Sequence, residues 1–170
     1  MKTTTLKLYS LSYTQMKTYL LAMAFVVGNI ILPQLCHFVP QGGLTLLPIY
    51  FFTLIGAYKY GWKVGLLTAV LSPVVNHLLF GMPPAGVLPV ILAKSILLAL
   101  VAGFAAHRFG RISILILTMV VLAYQVVGTL VEWAIVGDFF KAVQDFRIGI
   151  PGILIQILGG WLVLKALAKL

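Results

Sequence analysis

Apolar residues fill long runs of this chain, and short polar or turn-forming stretches separate them. Each run is close to the roughly 20 residues that an α-helix needs to cross a bilayer. The pattern predicts six membrane-spanning helices, at about residues 16–39, 44–58, 64–80, 85–106, 112–136 and 147–168. Residues 1–15 are polar and form a predicted cytoplasmic tail, so we expect a single membrane domain over residues 1–170.

Composition supports this interpretation. The chain is 62% hydrophobic and 9% charged, with a mean hydropathy of +1.11, whereas about a quarter of the residues of a soluble domain are charged. We therefore expect an all-α integral membrane protein embedded in a lipid bilayer, with no room for a soluble catalytic module. The net charge of +9 resides in short loops, which is typical of topology signals rather than of nucleic-acid binding.

The basic residues also predict an orientation. Six spans place Lys141 and Arg147 in loops on one side. Cytoplasmic loops are enriched in Lys and Arg, so the opposite, more basic side is predicted to be cytoplasmic, with both termini inside. Nine basic residues lie on that side: Lys2, Lys7, Lys17, Lys59, Lys63, Arg108, Arg111, Lys165 and Lys169.

A polar pair lies near the outer end of the third predicted span, within Ser72–Pro84. Asn76 and His77 are followed by the turn Gly81-Met82-Pro83-Pro84. A buried amide needs several hydrogen-bond partners, so Asn76 is a candidate ligand contact. His77 is either a second contact or an aromatic side chain at the membrane interface.

Two ionisable side chains are predicted to lie inside the membrane, Lys94 and Glu132. Such groups are costly there and are candidates for function. Either they pair with each other, or Lys94 extends to the outer headgroups, or Lys94 counters an anionic ligand while Glu132 balances it. Gln125 and Trp133 are weaker candidates for the same site, and Trp133 is equally expected in the outer aromatic belt.

Ala24 and Gly28 lie four residues apart on the first span. Small residues at this spacing let another helix approach closely. The spacing fits either a docking face for a partner subunit or ordinary packing within the protein.

Motifs for catalysis are missing from the sequence. It has no His-Glu metal spacing, no nucleophile beside a plausible base, and no phosphate-binding glycine loop. Cys36 is a lone cysteine, typical of a small apolar filler. We expect neither an enzyme nor a bound cofactor or metal, so energy for any uphill transport must come from partners or an ion gradient.

The size, the six spans and the small residues of the first span resemble the substrate-binding S components of energy-coupling factor (ECF) vitamin transporters. A more specific resemblance, to the branch containing pantothenate and hydroxymethylpyrimidine S components, lies between Leu47 and Gly103. It is carried by Leu47-Pro48-Ile49, Gly56-Ala57-Tyr58-Lys59-Tyr60-Gly61, Gly65, Ser72-Pro73, Gly81-Met82-Pro83-Pro84 and Leu88-Pro89.

The resemblance implies a bacterial or archaeal plasma-membrane protein that binds a vitamin between the outer ends of spans four to six. It also implies that Ala24 and Gly28 meet a transmembrane coupling subunit, and that two ATPase subunits drive a toppling motion. The branch commonly has a glutamate where this chain has Lys94, and this reversal of charge favours a carboxylate-bearing ligand. The alternatives are a structural or assembly membrane protein and a small membrane enzyme acting on lipid.

Overall fold

The computed structural model describes residues 4–5 and 8–168. Lys2, Lys7 and Lys169, which contribute to the predicted orientation, lie outside the described residues. Within them, five stretches are helical, long and apolar enough to cross a membrane. They are α1 (Met16–Cys36), α4 (Trp62–Phe80), α5 (Leu88–Phe109), α6 (Ile114–Val136) and the continuous helical stretch Ile150–Leu167. The prediction of an all-α chain is confirmed, and the five apolar helices are compatible with a multi-pass membrane protein.

The last of these stretches is not a uniform helix. It comprises α9 (Ile150–Leu154), one π-helical turn (Ile155–Gly159) and α10 (Gly160–Leu167). Pro151 lies in its first turn, where the missing backbone N–H disturbs no helical hydrogen bond. Two short helices precede it, α7 (Phe139–Ala142) and α8 (Gln144–Arg147).

The predicted span 44–58 is the element that differs most from the structure. It is divided into α2 (Gly42–Leu46), a 3₁₀ turn (Pro48–Tyr50) and α3 (Phe51–Tyr60). The break lies at Leu47, whose φ is +48°, because a residue before proline disfavours the α-helical region. At a rise of about 1.5 Å per residue, α3 alone is too short to cross a bilayer.

Helix α3 is nonetheless central to the bundle. Every residue from Thr53 to Lys59 is buried, and α3 packs against α1, α4 and α5. Small side chains permit this close packing. A Cβ added at Gly65 of α4 would overlap Ala57 of α3, and one added at Gly103 of α5 would overlap Trp62.

One end of the bundle is tied together by the N-terminal segment. Strand β1 (Thr4–Thr5) pairs antiparallel with β2 (Arg111–Ile112). The backbone N–H of Tyr9 donates to the carbonyl of Lys59 at 3.0 Å, and Lys59 Nζ donates to the carbonyl of Leu167 at 3.0 Å. Of the nine basic residues predicted to be cytoplasmic, those that the structure describes lie at this end: Lys17, Lys59, Lys63, Arg108, Arg111 and Lys165. We call it the basic end.

Candidate ligand-binding site

A cavity of about 830 Å³ opens at the end of the bundle opposite the basic end. Its walls come from the segment after α1, the turn between α4 and α5, the first turns of α5, and the segment after α6. Apolar side chains and prolines predominate, and they include Leu47, Pro84, Val90 and Ile91. Small-molecule sites in proteins share this size and this largely apolar lining.

The turn between α4 and α5 forms one edge of the cavity, and His77 holds it in place. Helix α4 ends at Phe80, and Gly81 adopts a left-handed conformation with φ +66°. Met82, Pro83 and Pro84 then line the cavity. His77 Nδ1 lies 2.7 Å from the Pro83 carbonyl oxygen, and His77 is not among the described residues that line the cavity.

Asn76 lines the cavity, but its amide N–H groups are engaged inside the bundle. They donate to the backbone carbonyls of Asn29 at 2.9 Å and Ser72 at 3.0 Å. The side-chain amide of Asn29 donates in turn to the hydroxyls of Thr53 and Ser72, both at 3.1 Å. Asn29 Oδ1 accepts the backbone N–H of Phe52 at 3.2 Å.

These bonds join α1, α3 and α4 behind the cavity wall, and every buried polar group of Asn29 has a partner. Sequence reasoning missed this role of Asn29. Its position in the middle of an apolar span was the available signal, because a polar side chain there needs a partner inside the bundle.

Lys94, which is buried, and the partly buried Glu132 and Asp145 form a cluster that we call the charge triad. Lys94 Nζ lies 2.5 Å from Glu132 Oε2 and 2.8 Å from Asp145 Oδ2. All three side chains line the cavity. Of the alternatives that the sequence left open for Lys94, the structure contains the pairing with Glu132. It adds Asp145, which the sequence did not single out.

The local packing explains why Lys94 can reach both carboxylates. Gly128 lies one turn before Glu132 on α6, and a Cβ added there would come within 2.8 Å of Lys94 Cγ. The glycine therefore leaves room for the lysine stem to cross α6. The short helices α7 and α8 fold the segment after α6 back over the cavity, which brings Asp145 to the same ammonium group.

Gln125 lies on α6 and is fully buried, but it is not among the described residues that line the cavity. Within the described part of the chain, neither of its amide atoms has a hydrogen-bond partner, and the same holds for the hydroxyls of Ser95 and Thr129. An unsatisfied buried polar group costs about 1–3 kcal/mol unless water or a ligand satisfies it.

Trp133 is exposed and is not part of the described cavity wall. Its ring lies 5.4 Å from that of Phe139 in an edge-on arrangement. An exposed ring at a helix end fits the aromatic-belt alternative. A different aromatic residue, Tyr50, is buried in the cavity wall, with its ring 5.7 Å from that of Tyr124.

The small residues of α1 occupy two different environments. Ala24 is exposed on the outside of the bundle. Gly28 instead packs against α3, and a Cβ added there would lie 2.8 Å from the ring of Phe52. Internal packing therefore accounts for Gly28, and a docking role for Ala24 stays a prediction.

Among the described residues, no group of three or more His, Cys, Asp or Glu side chains is placed to hold a metal ion. Comparison with family models, with curated proteins and with solved structures finds no match for this chain.

Proposed function

We propose that the protein is the substrate-binding S component of an ECF-type importer and captures a vitamin or related micronutrient. The observation that carries the proposal is the cavity of about 830 Å³ with the charge triad in its wall. A large apolar site with a few converging charged groups is typical of small-molecule recognition. A buried lysine with two carboxylates supplies polar groups for orienting a ligand.

The charge distribution supports an outward-facing cavity. Six of the nine described basic residues, those of the basic end, lie opposite the cavity, and basic residues favour the cytoplasmic side of a membrane. In the proposed topology the chain crosses a bacterial or archaeal plasma membrane six times, with both termini inside. The broken segment 42–60 supplies the second crossing, shielded from lipid by α1, α4 and α5.

In the proposed cycle, the ligand enters the cavity from outside and a transmembrane coupling subunit docks on the exposed face of α1 around Ala24. Two partner ATPase subunits then hydrolyse ATP and drive the motion that opens the cavity inward. The chain itself performs no chemistry in this scheme. It binds the ligand, excludes lipid and presents α1.

The alternative is a structural or assembly membrane protein without a small-molecule ligand. Complete pairing of Lys94 with Glu132 and Asp145 favours that alternative, because such a cluster can serve to fix helix positions. The size of the cavity and its largely apolar lining favour binding, since both are typical of small-molecule sites.

The experiment that separates the two is a thermal-stability screen of the purified protein with water-soluble vitamins. A ligand that binds only the folded state raises the melting temperature in proportion to its concentration over Kd. We expect one vitamin to raise the melting temperature of the protein. The substitution Val90→Trp places an indole in the cavity and should abolish that rise. Leu115→Trp, on an exposed face of α6, is the matched control and should retain it.

Uptake provides the second test. Cells that express the protein with a coupling subunit and both ATPases should accumulate the stabilising vitamin, and cells with an inactive ATPase should not. Absence of stabilisation by any vitamin, together with absence of uptake, would contradict the proposed function and support the structural alternative.

A further inference from the structure

The charge triad is not electrically balanced. One ammonium group faces two carboxyl groups, which leaves an excess of one negative charge at a partly buried position when both carboxyl groups are ionised. Among the described residues that line the cavity, Lys141 also carries a formal charge, but it does not correct the imbalance. Its side chain is 70% exposed and its Nζ lies 3.8 Å from Asp138, outside the triad.

The two kinds of charged group are also not equally accessible. The Lys94 side chain is 2% exposed, whereas those of Glu132 and Asp145 are 16% and 13% exposed. A molecule that enters the cavity therefore meets carboxylate oxygens before it meets the ammonium. Each carboxylate has about four lone-pair sites, and one bond to Lys94 leaves most of them open to further donors.

Because an unbalanced buried charge is costly, the site gains most from a ligand that brings a positive charge. We infer that, within the proposed function, the ligand carries a cationic hydrogen-bond donor, a protonated amine or a protonated nitrogen heterocycle with N–H groups. It would donate to Glu132 and Asp145 while the remainder of the molecule fills the apolar part of the cavity beside Tyr50.

An organic cation fits these walls better than a bare metal ion. Mg²⁺ and Ca²⁺ prefer about six or more oxygen ligands, and the wall one turn from Lys94 on α5 consists of Val90 and Ile91. A hydrocarbon-bearing cation satisfies both the carboxylates and the apolar surface.

A carboxylate-bearing ligand, the expectation from the sequence alone, meets the opposite situation. It would have to displace Glu132 or Asp145 from Lys94 and bring a third negative charge into the same buried volume. Like charges at such distances disfavour the ionised forms. Lys94 alone favours an anionic ligand, whereas Lys94 together with Glu132 and Asp145 favours a cationic one.

The test is a binding measurement with probes that share one ring and differ in charge. Pyridoxamine, pyridoxine and 4-pyridoxic acid carry an aminomethyl, a hydroxymethyl and a carboxylate group on one pyridine ring. Thiamine and pantothenate add a second cation and a second anion. Thermal stabilisation and microscale thermophoresis of the purified protein are measured for each.

We expect the cationic members to bind most tightly. Glu132→Gln and Asp145→Asn should each weaken that binding about tenfold or more, the equivalent of one charged hydrogen bond. Either variant leaves Lys94 with one carboxylate, so both should fold. Asp138→Asn makes the same chemical change on an exposed side chain outside the cavity and should leave affinity unchanged.

The possible failures are distinguishable. Binding of only the anionic members, or tighter binding of them by Glu132→Gln, would overturn the cationic inference and leave the proposed function standing. Binding of a cationic member that is unaffected by both triad variants would also overturn it. Failure of every probe to bind, in a protein that folds, would count against the proposed function itself.

Discussion

Replacement of Lys94 by methionine tests whether the charge triad is a coupled unit. Methionine keeps most of the length of the side chain but removes the ammonium, so Glu132 and Asp145 are left facing each other. Their two oxygens both contact Lys94 Nζ, at 2.5 Å and 2.8 Å, and so lie no more than about 5.3 Å apart. Two unit charges about 5 Å apart repel by about 3 kcal/mol at an effective dielectric constant of about 20.

Removal of one member of a buried ion pair typically costs about 3–5 kcal/mol, which agrees with that figure. We therefore expect Lys94→Met to lower the free energy of unfolding by about 3 kcal/mol or more. Reversible unfolding by sodium dodecyl sulfate in mixed micelles, followed by tryptophan fluorescence, provides the measurement.

Double substitution provides the control. Glu132→Gln alone should cost about 1 kcal/mol or less, because Lys94 keeps Asp145 as its partner. Added to Lys94→Met, the same change should recover much of the lost stability, since it removes the repulsion. An unchanged stability of Lys94→Met, or strictly additive effects in the double variant, would refute the coupled triad.

Three further substitutions test the surroundings of the site. Asn29→Leu should lower the free energy of unfolding by at least about 2 kcal/mol, because it leaves several buried polar groups without partners. Unfolding in mixed micelles measures this change. An unchanged stability would contradict the hydrogen-bond network around Asn29. Gln125→Leu should be neutral or should raise the free energy of unfolding by up to about 2 kcal/mol, because its amide has no protein partner in the described chain. A large loss of stability would show that water or a ligand satisfies the amide. Gly28→Leu should destabilise the isolated protein through overlap with Phe52, whereas Ala24→Leu should leave its stability unchanged and weaken co-purification with the coupling subunit. Equal effects of the Gly28 and Ala24 substitutions on the isolated protein would contradict this division.

The helical framework was predictable because hydropathy reports membrane-length helices directly. The predicted spans at 16–39, 112–136 and 147–168 enclose the observed helices to within a few residues. The segment 44–58 was less predictable. Pro48 within this segment favours a kink, but only the packing of α3 in the centre of the bundle shows how the chain is divided there.

The site was predictable in part, for a related reason. Lys94 and Glu132 stand out in apolar helices, and their similar depth on antiparallel neighbours suggested a pair. Asp145 was not predictable, because its position depends on how α7 and α8 fold back over the cavity. Without Asp145, the lysine suggests a site for an anion. With both carboxyl groups ionised, the complete triad carries a net negative charge and favours a cation.

Native mass spectrometry of the protein purified from its own membranes can show whether the cavity binds a small molecule, and it needs no prior choice of ligand. We expect a bound small molecule of vitamin size with a basic nitrogen, present in the wild type and in Leu115→Trp and absent from Val90→Trp. Protein that carries no small molecule in any form, or that keeps the same molecule when Val90→Trp fills the cavity, would contradict the claim that this cavity is a ligand-binding site.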